Sequence, residues 1–129
     1  MADTGHEQDR SSARALLRAE QEATIARVRA MTTEFDAIVE ASSGANLDDE
    51  HDPEGSTVAF ERAQVATFLV DARSYLDELH QAVARLDTGL YGLCERCGAP
   101  IGPERLAALP ATRTCVACAG TPRSDRGLD

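Results

Sequence analysis

The chain has 129 residues, no tryptophan, and only three phenylalanines and two tyrosines, too few for a large mixed core. Its formal charge of −9 is uneven: residues 1–56 carry thirteen acids against five arginines, residues 57–129 nine against eight. That balance excludes a nucleic-acid backbone binder or a ligand of anionic membranes and favours a basic protein partner.

No apolar run approaches the ~20 residues needed to cross a bilayer. Residues 1–10 read as a short, polar, flexible N-terminus. From Ser11, which with Ser12 offers a cap, good helix formers dominate. Leu17, Thr24, Val28, Met31, Phe35 and Ile38 follow a mostly three-and-four rhythm. Ala19, Ala23, Ala26 and Ala30 form a parallel stripe, expected to allow close helix approach. The pattern predicts one long helix that stops at Ser42-Ser43-Gly44. Residues 45–56 are an acidic turn containing Asp48, Asp49, Glu50, Asp52 and Glu54. Asp52-Pro53 sets a cap residue before a proline suited to the first helical position, with Ser56 or Thr57 as a second choice. Beyond it Val65, Leu69, Ala72, Leu76, Leu79, Val83 and Leu86 recur at alternating gaps of four and three, a heptad seam. Neither helix hides its stripe alone. The expected fold is mostly α: an antiparallel two-helix coiled-coil hairpin over residues 11–88, its acidic tip at 45–56.

Gly89 ends the second helix and opens a small lobe, residues 89–119, that holds all four cysteines. They form two pairs, Cys94-Glu95-Arg96-Cys97 and Cys115-Val116-Ala117-Cys118. Each pair can place two thiolates on one metal, and together they close a tetrahedron. Four thiolates suit one structural Zn2+ with no open coordination position. An iron–sulfur cluster and a redox dithiol are the alternatives, although no strand–helix context of the thioredoxin kind surrounds either pair. No signal peptide is evident, so a cytoplasmic, reducing setting is expected, where disulfides are rare. Ile101, Leu106 and Leu109 beside Tyr91 are the expected lobe core. Pro103 opens a short helical turn, Pro110 stops it, and Thr114 is a candidate cap for another. Residues 120–129 read as a flexible polar tail.

Catalysis finds no support. The only thiols are committed to metal, and neither a phosphate-cradling glycine loop nor a dinucleotide fingerprint is present, so no organic cofactor is expected. His51 beside Asp49 and Asp52 suggests at most a weak ion site, and with the tip carboxylates a remote hydrolase reading. His6 and His80 read as surface residues, Arg96 and Arg105 as ordinary lobe arginines.

The run Tyr91-Gly92-Leu93-Cys94-Glu95-Arg96-Cys97-Gly98-Ala99-Pro100-Ile101-Gly102, with Arg105 to Pro110 and Cys115 to Cys118, resembles the DksA/TraR C4-type zinc-finger family. The resemblance reaches upstream to about residue 10. It implies a hairpin on a four-cysteine zinc-finger lobe that binds RNA polymerase through its secondary channel and modulates initiation, with no sequence-specific DNA binding and no membrane. The family's tip motif, aspartate-proline-any-aspartate and then alanine, falls on Asp52-Pro53-Glu54-Gly55 and Thr57, with glycine at the second aspartate. The partner-binding residues so implied are Asp52 first, then Glu54, Asp49 and Glu50. Basic residues that serve the alarmone ppGpp in the best-known member fall near Glu78, Leu109 and Ala119. None is basic here, which implies weak or absent ppGpp binding. The family's long C-terminal helix is replaced by the polar tail. The runner-up reading is a zinc-stapled coiled-coil adaptor that binds another protein or self-associates.

Overall fold

The computed structural model describes residues 2–43 and 53–120, with side chains described for 8–42 and 57–120. The expected tip residues Asp49, Glu50 and Asp52, the side chain of Glu54, His51, and the tail from residue 121 lie outside the described residues. Four helices occur in order, α1 (Ala2–Ser43), α2 (Pro53–Asp87), α3 (Pro103–Ala108) and α4 (Val116–Ala119). Helix α1 starts at Ala2, ahead of the expected start at Ser11. No proline lies before Ser11, and the lone Gly5 costs only about 1 kcal/mol in a helix interior. Helix α2 opens on Pro53, whose fixed φ suits a first turn that needs no N–H donor there. No described helix is long and apolar enough to cross a membrane.

The chain divides into two compact units, one of Met1–Glu20 with Glu78–Asp129, the other of Gln21–Asp77. Helices α1 and α2 contribute to both. In Gln21–Asp77 the core is the expected seam: Thr24 is fully buried and Val28, Met31, Phe35 and Ile38 half-buried on α1, against Val65, Leu69 and Ala72 buried on α2. In the other unit Leu17, Leu79, Ala82 and Leu86 are buried. Side chains three and four apart share one helix face, so these residues form a stripe along each helix. Arg14 pairs with Asp87, whereas Arg27 and Met31 border the same depression as Phe68, Ala72 and Tyr75. Rising numbers on α1 meet falling numbers on α2, so the two long helices pair antiparallel.

The energy of pairing is apolar. Leu17 and Leu79 are completely enclosed, each worth about 1.5–3 kcal/mol. The Arg14–Asp87 ion pair, 2.7 Å long and solvated on both sides, adds at most about 1 kcal/mol. The alanine stripe needs correcting: Ala19, Ala23, Ala26 and Ala30 are all exposed. The larger side chains of the Leu17–Thr24–Val28–Met31 stripe remove more apolar area from water, and they take the contact.

Candidate metal centre

The lobe begins at the end of α2, where the backbone must turn out of the helix. Gly89 adopts φ +81°, a conformation open to glycine and strained for other residues. Its N–H donates to the Leu86 carbonyl at 3.2 Å and that of Leu90 to Arg85 at 2.8 Å, the paired bonds of a Schellman cap. Tyr91 N–H donates to the same Arg85 carbonyl at 3.2 Å.

Past this cap the chain doubles back around the first cysteine pair. Leu93 bridges antiparallel to Pro100, Cys94 N–H donates to Ala99, and Ile101 N–H to Gly92, both at 2.8 Å. Gly98 supplies the knuckle's left-handed residue at φ +78°, and its N–H donates back to the Cys94 carbonyl at 2.8 Å. The second pair is presented by α4. Cys115 is its N-cap residue, and no described side chain caps the helix, so the expected Thr114 cap is corrected. Extended backbone at Cys115 (ψ 170°) brings its sulfur and that of Cys118 to one side of a single turn.

Four further contacts fasten the loop before the second pair. Glu95 N–H donates to the Arg113 carbonyl at 2.8 Å. Arg105 Nε donates to the Thr114 carbonyl at 2.9 Å and Tyr91 Oη to the Pro110 carbonyl at 2.9 Å. Arg85 reaches the Thr112 carbonyl at 3.4 Å. Burial, then the neighbouring Arg113 charge, makes the Arg85 cation less favourable than usual. The lobe core is Ile101 with Pro110 and Ala111 rather than Leu109, which is 50% exposed. Pro110 and Ala111 take the place expected for Leu109, and the Tyr91 hydroxyl bond to the Pro110 carbonyl ties that turn to the lobe. Sequence reasoning missed Arg85, Thr112 and the Tyr91 hydroxyl. Their acceptors are mainly backbone carbonyls, which any residue supplies, so spacing carries no sign of them.

The sulfurs of Cys94, Cys97, Cys115 and Cys118 all lie within 4.8 Å of one another, and Cys97 Sγ is 3.8 Å from Cys115 Sγ. None of the four is in a disulfide. A regular tetrahedron with Zn–S bonds of ~2.3 Å has S–S edges of about 3.8 Å, so the set fits Zn2+. The four thiols are not equivalent. Burial opposes the Cys94 thiolate, yet N–H donors of Cys115, Cys97 and Arg96 outweigh it and bring the thiol down to about 6. Hydrogen bonds to Cys115 and Cys94 push Cys118 up to about 12. One member is thus prepared as a thiolate, whereas Cys118 keeps its proton until a cation displaces it. Glu78, Leu109 and Ala119, the positions matched to alarmone contacts, are exposed and non-basic.

The family model described as the prokaryotic dksA/traR C4-type zinc finger matches residues 89–121, the span that contains all four cysteines. Residues 89–121 are thus similar to the DksA/TraR C4-type zinc finger. An uncharacterized protein of Aquifex aeolicus (strain VF5) is 48% identical over 44 residues, 34% of this chain and 30% of that protein. General stress protein 16O of Bacillus subtilis (strain 168) is 34% identical over 68 residues, 53% of this chain and 42% of that protein. The chain therefore spans less than half the length of these relatives. The structure of transcription factor DksA2 from Pseudomonas aeruginosa superposes with a TM-score of 0.75 at 22% identity, covering 95% of this chain and 88% of that one. At that identity the likeness shows a shared fold.

Proposed function

We propose that this protein is a non-catalytic transcription regulator that binds RNA polymerase through its secondary channel and modulates initiation. The observation that carries this reading is the likeness of 95% of the chain to the fold of a transcription factor, with the family's zinc finger at residues 89–121. Cys94, Cys97, Cys115 and Cys118 hold one structural Zn2+. The ion supplies a four-point cross-link and no open coordination position, so it has no catalytic role. The excess of acids over arginines in residues 1–56 favours approach to a basic channel, both in rate and in orientation. Asp52, then Glu54, Asp49 and Glu50, are the carboxylates that act at the tip, by pairing with a basic group or perturbing an ion near the polymerase centre. Glycine at position 55, where the family motif has its second aspartate, changes the strength or sign of that action. ppGpp has no basic contacts at Glu78, Leu109 and Ala119 and binds weakly or not at all. The protein acts without sequence-specific DNA contacts, in the cytoplasm.

The test is binding of the zinc-loaded protein to purified core RNA polymerase of its own organism, with a known secondary-channel binder as competitor and Asp52→Ala alongside. The parent protein should bind and be displaced by the competitor, and the variant should bind yet lose its effect on initiation. Absence of binding across the micromolar range would reject this function and leave the adaptor reading ahead.

A further inference from the structure

The apolar seam of α2 leaves several large side chains outside it. In the unit Gln21–Asp77, Phe60 is 70% exposed and Phe68 53% exposed. They are eight residues apart, 80° from eclipsed on a 100° helical repeat, so they border one broad face. A depression of about 340 Å³ lies between them, floored by Ala63, Gln64 and Thr67. On its other side Phe68 walls a second depression of about 490 Å³, bordered by Met31 and Tyr75. The Thr67 hydroxyl donates to the Ala63 carbonyl at 3.0 Å, which satisfies that polar group on the helix itself and leaves the floor largely apolar. Exposed aromatics beside shallow depressions are costly in water and match the anchors that dominate protein interfaces.

We infer that Phe60 and Phe68 form a lateral docking strip that seats the hairpin on a basic, apolar-bearing protein wall, the inner wall of the polymerase channel. This rests on the proposed function and says which side of the hairpin meets that partner. Two observations choose this occupant. The strip starts within two turns of Pro53, where α2 begins, and so lies close in sequence to the proposed tip residues. The helices that carry it hold more acids than arginines: Glu22, Glu34, Asp36, Glu40, Glu61, Asp71 and Asp77 against Arg27, Arg29, Arg62 and Arg73 in Gln21–Asp77. Aromatic anchors on a helix pair of net negative charge fit a basic surface and disfavour a second copy of this acidic chain.

The experiment compares the zinc-loaded parent with the double variant Phe60→Gln, Phe68→Gln in binding to purified core polymerase, with sedimentation of each protein alone. Glutamine is a better helix former than phenylalanine and the sites are exposed, so the melting temperature should be unchanged or slightly raised. The double variant should bind polymerase about tenfold or more weakly, with Phe60→Leu, Phe68→Leu recovering much of the loss. Equal binding by parent and glutamine variant overturns the strip and leaves the proposed function standing. A parent protein that binds no polymerase overturns both. A parent dimer that the glutamine variant abolishes assigns the strip to a second copy and overturns the inference.

Discussion

Thr24 sits fully enclosed on α1, and its Oγ1 has no hydrogen-bond partner among the described residues. A buried hydroxyl without a partner forfeits its bonds to water, at about 1–3 kcal/mol. Valine has the same shape without that group, so Thr24→Val should stabilise the protein by about 1 kcal/mol. Thermal or urea unfolding reads it directly, and a lowered midpoint would mean that the hydroxyl is paired in solution. At the same scale, the unlike cysteines make metal loading a proton-coupled event. Cys118 is pushed up to about 12 and must lose its proton to become a ligand. Zinc binding at neutral pH should therefore release protons, seen by titration calorimetry in buffers of different ionisation enthalpy. The sign is fixed: affinity falls as pH drops, because protons compete for the sulfurs. Pairwise serine variants of the cysteines should lose the metal.

Among the elements, the end of α2 is the most exacting. Gly89 at φ +81° has nothing among the described residues within 4 Å of where a Cβ would sit, so backbone strain is what resists substitution there. Gly89→Ala should cost about 1 kcal/mol, measured as a lowered unfolding midpoint with zinc still bound. A neutral result would mean that the cap adapts. The seam of α2 was legible because Val65, Leu69, Ala72, Leu79 and Leu86 repeat at heptad spacing, and a buried stripe leaves that trace in any sequence. The alanine stripe of α1 misled, since small residues at helical spacing are compatible with either face. The start of α1 was obscured because Asp3, Thr4, Gly5 and His6 are weaker helix formers than the residues after Ser11, which places the expected boundary too late. The convergence of the four cysteines into one cluster able to hold a metal ion was legible from spacing alone, since two CxxC pairs admit few alternatives. The hydrogen bonds that present them were not, because carbonyl acceptors carry no residue signature. Phe60 and Phe68 escaped notice for a related reason: a seam identifies what it buries, not which of the remaining residues stay exposed.

Across the whole molecule, the lobe has few apolar side chains of its own inside, Ile101, Ala111 and Cys94 among them. Such a core is too small to hold ~30 residues by burial. Chelation should unfold the lobe, and structure in residues 89–120 and bound metal should disappear together. A folded, metal-free lobe by NMR would contradict this. The paired helices should retain helicity, because Leu17, Leu79 and the rest of the seam do not depend on the ion. The Arg85 carbonyl accepts from both Leu90 and Tyr91, and its guanidinium reaches Thr112. Swivelling the chain at residues 88–90 would break these ties at once, so the junction lacks the slack of an ordinary linker. A load placed on the lobe is then carried into α2 as torsion about the helix axis, as through a keyed shaft, instead of being absorbed at a loose joint.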